Sequence, residues 1–451
     1  MLHVFGARQR FCDGLSRRDF LTVGTLGLGG LSLADLVRLR AHGDEAPRAR
    51  VKSVIMVVLN GGLSHIDSYD LKPSAPSEFR GDFRPIQTNV PGFEISELMP
   101  LQAKIADKLA LVRSLQTVDL NHNLHEVTTG FTFNEKRPAF GSVVSRLRPS
   151  ADLPSYVSFL DVPVGTPNET AEAPSYLGTQ HQPFRPRGEG LANFGRCQGV
   201  TPPRLEDRQA LLIALDQFRR EVDAKGEAGM LDVHTGRALD IISSGKARAA
   251  FDLSLEPDHV LEKYGGVQPY LAFNGVKDVQ GSYDGRSFLL ARRLVEAGVP
   301  MVTVGNGGWD HHDRLFPRMR SQLPLLDRSI YALITDLHER GLDKEVAVVV
   351  WGEFGRVPRI TPKGDAGAGP GRGHHPSAGC VLMAGGGLKT GQVIGATDAR
   401  AELPKARPLG PQNILATLYH LLGIDPTQTF PTNTGRPMYV LDEREPVAEL
   451  L

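Results

Sequence analysis

"KSVIMVVLNGG", residues 52–62, holds an unbroken apolar run from Val54 to Leu59 that stops at Asn60 and two glycines. A strand with one wet face alternates apolar and polar residues, so an uninterrupted run predicts a strand covered on both faces. The same pattern recurs in "KLALVRSL" (108–115), "YVSFL" (156–160), "PMVTVG" (300–305), "KEVAVVVWG" (344–352) and "GCVLMAGGG" (379–387). Between these runs the spacing turns helical. Met319, Leu323, Leu326, Ile330, Leu333 and Leu337 recur every three or four residues, as do Leu211, Leu215, Phe218 and Val222, and Ile414, Leu418 and Leu421. Strands alternating with helices predict an α/β chain, a three-layer αβα sandwich around a mostly parallel central sheet. Sites in such folds gather at the carboxyl ends of the strands.

The composition, 41% hydrophobic and 23% charged over 451 residues, is that of a globular chain with a large core. Lys+Arg and Asp+Glu are each 51, so net charge gives no argument for nucleic acid or for an anionic membrane surface. Of the three cysteines, Cys12 falls near the N-terminus; Cys197 and Cys380 form no CxxC motif, and whether they pair stays open.

"LSRRDFLTVGTLGLGGLSLADL" (15–36) sets Arg17 and Arg18 before Phe20, Leu21 and a Gly-diluted apolar run, the layout of a twin-arginine export signal. The run is too short and too rich in Gly for a membrane span. An amphipathic helix from Asp19 is the plainer alternative, and the glycines argue against it. No small-x-small cleavage site stands between Ala34 and Ala46, so cleavage and retention as an anchor both stay open. The expected organisation is a signal and linker over 1–46, then one α/β domain over 47–451, with a loop-rich and helical insertion around 163–265. The expected location is the periplasm or cell envelope.

The residues that follow the apolar runs are rich in acids and imidazoles. After the first come Asn60, Ser64, His65, Asp67 and Asp70; after the second, Asp119, His122 and His125; after the fourth, Asp310, His311 and His312. The fifth run leads into Glu353 and Arg356, and the loop before the sixth holds Arg372, His374 and His375. Any one of these has an ordinary reading: a hydrogen-bonded surface histidine, a turn aspartate, a structural ion pair. Seven of the 14 histidines fall in these segments, however, and five segments bring acid or imidazole to one predicted edge. Mixed Asp/Glu/His sets suit a transition metal better than Ca²⁺. The glycine-rich pieces match neither a P-loop nor a dinucleotide fingerprint, and Gly62-Leu63-Ser64-His65 lacks the spacing of a nucleophile elbow.

With "SRRDFL", "NGGLSHIDSYDLKP", "GGWDHH", "WGEFGR" and "GRGHHP" in this order, the chain resembles a family of twin-arginine-exported bacterial proteins of unknown function within the alkaline phosphatase-like superfamily, which also holds sulfatases. The resemblance implies an alkaline phosphatase-like fold and a site for one or two divalent ions, zinc first, with manganese, magnesium and calcium as alternatives. It implies Asp310, His312 and His374 or His375 as ligands of one ion. For a second ion, Glu353 stands in the acid's place with Phe354 where an imidazole is expected, and Asn60 stands where the first strand's acid is expected, so Asp67 is its substitute; His311 is a further candidate. At the nucleophile's place, "NHNLHEVTTG" offers Leu120, Asn121 or His122, none a hydroxyl or thiol. His122, His65 and Ser64 are therefore the catalytic candidates, and Arg356, Arg372, Asn60 and His125 the candidate contacts to a small anionic ester. The implied activity is hydrolysis of phosphate or sulfate esters; the rival is a non-catalytic metal-binding or ligand-binding protein of the cell envelope on the same fold.

Overall fold

The computed structural model describes residues 51–150, 152–162, 164–186 and 245–451. The expected export segment, Cys197 and the 211–222 periodicity lie outside the described residues. One compact unit runs Ala49–Leu451. Among the described residues no helix is long and apolar enough to cross a membrane.

The six apolar runs form six of the seven strands of one sheet: β1 (Ser53–Val58), β2 (Leu109–Leu115), β3 (Tyr156–Ser158), β4 (Met301–Gly305), β5 (Val346–Trp351) and β6 (Gly379–Gly385). The seventh, β7 (Gln392–Ile394), holds two apolar residues between Gln392 and Gly395, so no apolar run marks it. The order across the sheet is β7-β2-β6-β5-β1-β4-β3. β1 pairs in parallel with β4 and β5, β4 with β3, and β7 with β2; β6 alone is antiparallel, to β5 and to β2. The reversal of β6 has a direct consequence for the site. The loop that precedes β6 reaches the same edge as the loops that follow β1, β2, β4 and β5. These loops also leave at one level, because Val58 pairs with Gly305 and with Trp351, and Trp351 with Val381 near the start of β6.

Both faces are covered, which is why the runs do not alternate. Ile55, Val57, Val302, Val304, Val348 and Val350 pack on one side with helices α3 (Arg286–Ala297) and α4 (Leu315–Glu339). Val54, Met56, Val58, Val349 and Trp351 pack on the other with α2 (Phe140–Leu147) and α5 (Pro411–Leu422). The six apolar positions of α4 named from the sequence are all buried in the first cluster. Each such side chain contributes about 1.5–3 kcal/mol on burial. A short helix α1 (His125–Thr129), closed by Gly130 in the left-handed conformation, follows the β2 loop.

Candidate metal centre

The site is assembled on the carboxyl edge of the sheet by a turn, a guanidinium and four loops. Gly61, just past β1, has φ +109°, and a Cβ there would lie 2.6 Å from the Asp310 backbone nitrogen. Only glycine lets the first loop run against the fourth so closely. The Arg356 guanidinium, fully buried, donates to the carbonyls of Gly61, Gly62 (2.9 Å) and Arg372 (3.0 Å) and to Asp310 Oδ1 (2.5 Å), so one side chain ties the loops after β1, β4 and β5 to the loop before β6. Gly61→Ala is expected to cost on the order of 2–3 kcal/mol in strain and contact and to weaken metal binding. Urea unfolding together with a zinc titration checks both effects.

Four side chains converge on one point. One ligand atom from each of His122, Asp310, His312 and His374 lies within 4.8 Å of all the others. Asp310 Oδ1 is 3.0 Å from His312 Nε2 and 3.3 Å from His374 Nε2, while Asp310 Oδ2 is 3.3 Å from His122 Nε2. The two histidine Nε2 atoms of His312 and His374 are 2.8 Å apart. Each of the three rings turns its other nitrogen to an acceptor. His122 Nδ1 donates to Glu353 Oε1 (2.8 Å), His312 Nδ1 to Asp365 Oδ2 (2.6 Å) and His374 Nδ1 to the Leu120 carbonyl (2.6 Å). Carboxylates and carbonyls only accept, so the Nδ1 atoms carry hydrogens, and once an ion displaces the protons shared with Asp310 the three Nε2 lone pairs face the common point.

Two lone pairs at 2.8 Å repel unless a proton or a cation stands between them. The donor set therefore fits a divalent ion with borderline preferences: three neutral imidazoles and one carboxylate, each ring fixed from behind. The side chains of His122, Asp310, His312 and His374 keep 34%, 45%, 26% and 20% of their surface, so one side of the cluster faces solvent, as a reactive centre requires.

The electrostatics agree with this arrangement. Burial alone would raise the Asp310 carboxyl, but hydrogen bonds from His122, His312 and His374 and the charge of Arg356 hold it far below the usual carboxylate range. Burial opposes protonation of His122 as well. Its contacts with Asp310 and Glu353 outweigh that and raise it from 6.5 to about 9, and His312 is raised by its hydrogen bond to Asp310. Without an ion, protons take its place.

The remaining candidates are placed elsewhere. Asp67 is fully buried and gives both oxygens to Arg372 (2.7 and 3.2 Å), with Ser64 Oγ donating to it at 2.5 Å. The expectation of Asp67 as a metal ligand, Ser64 as a nucleophile and Arg372 as an anion clamp thus gives way to a closed internal ion pair. Arg356, the other expected clamp, has its donors committed to the frame already described. Glu353 stands behind His122 instead of at the common point, its Oε1 also accepting the Gly61 N–H at 2.8 Å. His65, expected as catalytic, is buried and held neutral, lowered to about 4 chiefly by desolvation; it donates to the Ala401 carbonyl and accepts from the Arg356 N–H. His375 donates to the Glu402 carbonyl at 2.7 Å and stacks on His65, and His311 is buried beside Trp309. His125 meets the Thr170 hydroxyl at 3.0 Å, and Asn60 accepts the Trp309 N–H through its carbonyl at 3.3 Å.

Several residues that shape the centre escaped the sequence reading. Glu126, on α1, accepts the N–H groups of Val118 and Asp119, and Asn168 donates to the His122 carbonyl at 2.6 Å, so two side chains fix the loop that carries His122. Asp365 sits among glycines in "PKGDAGAGPGRGHH", between the "WGEFGR" and "GRGHHP" motifs. An acid in such a loop was the available signal.

A family model described as "Protein of unknown function (DUF1501)" matches residues 51–451. No curated protein matches the chain. Among solved structures, the chain is similar to the lipoteichoic acid synthase LtaP from Listeria monocytogenes, at 10% identity and TM-score 0.36, covering 85% of this chain and 74% of that one. It is also similar to the PsFucS1 sulfatase from Pseudoalteromonas sp. (13% identity, TM-score 0.34, 86% and 70% covered). A third similarity is to alkaline phosphatase from the Antarctic bacterium TAB5 (9% identity, TM-score 0.31, 77% and 94% covered).

Proposed function

The chain belongs to the DUF1501 family of proteins of unknown function, and from that premise we propose that it is an exported metal-dependent hydrolase of small phosphate or sulfate esters. The observation that carries this reading is the aim of three Nε2 atoms and the Asp310 carboxylate at one solvent-facing point. A divalent ion there, zinc before manganese, magnesium or calcium, would supply Lewis acidity and lower the pKa of water. His122, His312, His374 and Asp310 would hold it. Glu353 keeps the His122 ring in its tautomer, and Arg356 keeps Asp310 ionised and in place. None of the four cluster residues carries a hydroxyl or thiol, so in this reading the attacking group is water. Export rests on the Arg17–Arg18 segment, and the periplasm or cell envelope follows from it; the small ester is the proposed partner, and nucleic acid is not.

One observation favours a second reading, a non-catalytic metal-binding protein of the envelope. Arg356 and Arg372, the arginines of the two motifs, are buried in internal bonds and leave no guanidinium from those motifs to meet an oxyanion. The test is a screen of the zinc- and manganese-loaded protein against p-nitrophenyl phosphate, bis(p-nitrophenyl) phosphate and p-nitrophenyl sulfate. Turnover that His374→Ala abolishes supports hydrolysis. Stoichiometric metal with no turnover on any ester supports the second reading.

Metal uptake and protonation compete, with opposite signs. The raised His122 contributes stability to the metal-free chain that is fully present below about pH 6.5 and is lost as pH rises through about 9. Zinc affinity should rise over the same window, by about a decade per pH unit for each proton displaced, and flatten above it. Calorimetric titration from pH 6.5 to 9.5 reads this directly; a flat affinity contradicts the assignment of His122.

A further inference from the structure

Of the three acceptors behind the ligand rings, Glu353 is buried and the Leu120 carbonyl belongs to the backbone, but Asp365 comes from a surface loop. We propose that Asp365 is a positioning residue for the metal centre, aiming His312 Nε2 at the ion through the Nδ1 contact of 2.6 Å; this rests on the reading of the four-residue cluster as a metal site.

The loop is built to deliver that carboxylate. Asp313, only 3% exposed, accepts the N–H groups of Ala366 (3.0 and 3.2 Å) and Ala368 (3.1 Å), so the chain folds around a buried anion one residue beyond His312. Gly364, Gly367 and Gly369 all have positive φ, which lets the backbone close on Asp313 in so few residues. The result is a short relay within the fold: Asp313 shapes the loop, the loop presents Asp365, and Asp365 fixes the tautomer and tilt of His312. Outer-sphere carboxylates of this kind change metal affinity by about 10–100-fold when removed.

Asp365 keeps 65% of its side-chain surface, so its substitution leaves the core untouched and separates positioning from folding. The experiment is zinc affinity by competition with a chromophoric chelator, and the visible spectrum of the Co²⁺-loaded protein, for the wild type and for Asp365→Ala, Asp365→Asn and Asp365→Glu. The expected result is an affinity loss of about tenfold or more in the Ala and Asn variants, with a shifted Co²⁺ band and an unchanged unfolding midpoint of the metal-free chain. Asp365→Glu, which returns a carboxylate acceptor, recovers most of the loss. An Ala variant within about twofold of wild type overturns the proposal while leaving the metal site intact; a wild type that binds no zinc overturns both.

Discussion

Asp310→Asn is expected to reduce bound zinc from about one ion per chain to less than about a tenth, the largest functional effect of any single substitution in the centre. The carboxylate lies within 3.3 Å of all three ligand rings, and its charge offsets Arg356. Asparagine keeps the shape but neither the charge nor a second oxygen. With a neutral amide in its place, His122 and His312 also lose the partner that raises them, so the metal-free variant should bind fewer protons at neutral pH than the wild type. Asp310→Ala adds a loss of stability, because it leaves the Arg356 guanidinium buried with carbonyls alone. Elemental analysis after dialysis reads the first effect and urea unfolding the second. Wild-type zinc content in Asp310→Asn would remove the residue from the site.

Arg372→Met is expected to destabilise the fold by about 3–5 kcal/mol, because it strands the Asp67 carboxylate in a fully buried position. Neither partner has any exposed side-chain surface, and the pair is bidentate. Breaking it from one side leaves a charge that only Ser64 Oγ still meets. Replacing both partners, Asp67→Asn with Arg372→Met, should recover much of the loss, since the uncompensated charge goes with them. Zinc bound per folded chain stays at the wild-type level in both variants if Asp67 serves the fold. A fall in zinc that tracks Asp67 in the Asp67→Asn single variant, with the fold retained, would return it to the list of ligands.

The contrast between Asp67 and Asp310 marks what the sequence can and cannot reveal here. Strands buried on both faces have no alternation to lose, so runs such as Val54–Leu59 and Val346–Trp351 are legible as core strands without any tertiary information. The direction of β6 is not legible, because an apolar run reads the same both ways; pairing with β2 and β5 decides it. Residue types at the edge were also legible, and convergence of loops followed from the strand order. Which member of each neighbouring pair reaches the common point was not. His374 and His375 sit on a two-residue strand paired with Gly355–Arg356, where successive side chains leave on opposite faces. His374 turns to the cluster and His375 to the Glu402 carbonyl. His311 and His312 divide in the same way, one into the core and one to the centre. The contacts that accompany this division are tertiary: Trp309 packs beside His311, and Arg356, 46 residues on, holds Asp310.

The arginines show the same limit. A guanidinium beside metal-competent residues is chemically suited to an oxyanion and equally to backbone carbonyls. The outcome depends on local depth: "GEFGR" is buried throughout, with Arg356 donating to the Gly61 and Gly62 carbonyls, while in "GPGRG" Pro370 is exposed but Gly371 and Arg372 are buried, and Arg372 donates to Asp67. His122 is the reverse case. It stands at the nucleophile's place in the sequence, yet its position beside Asp310 depends on Glu126 and Asn168, whose roles have no local signature in the sequence.

The most direct measurement is an anomalous difference map at the zinc edge from crystals of the chain grown with zinc. A peak about 2.0–2.2 Å from His122 Nε2, His312 Nε2, His374 Nε2 and an Asp310 oxygen is the predicted result. An empty cluster with a peak elsewhere, or no peak at full zinc occupancy in solution, would contradict it.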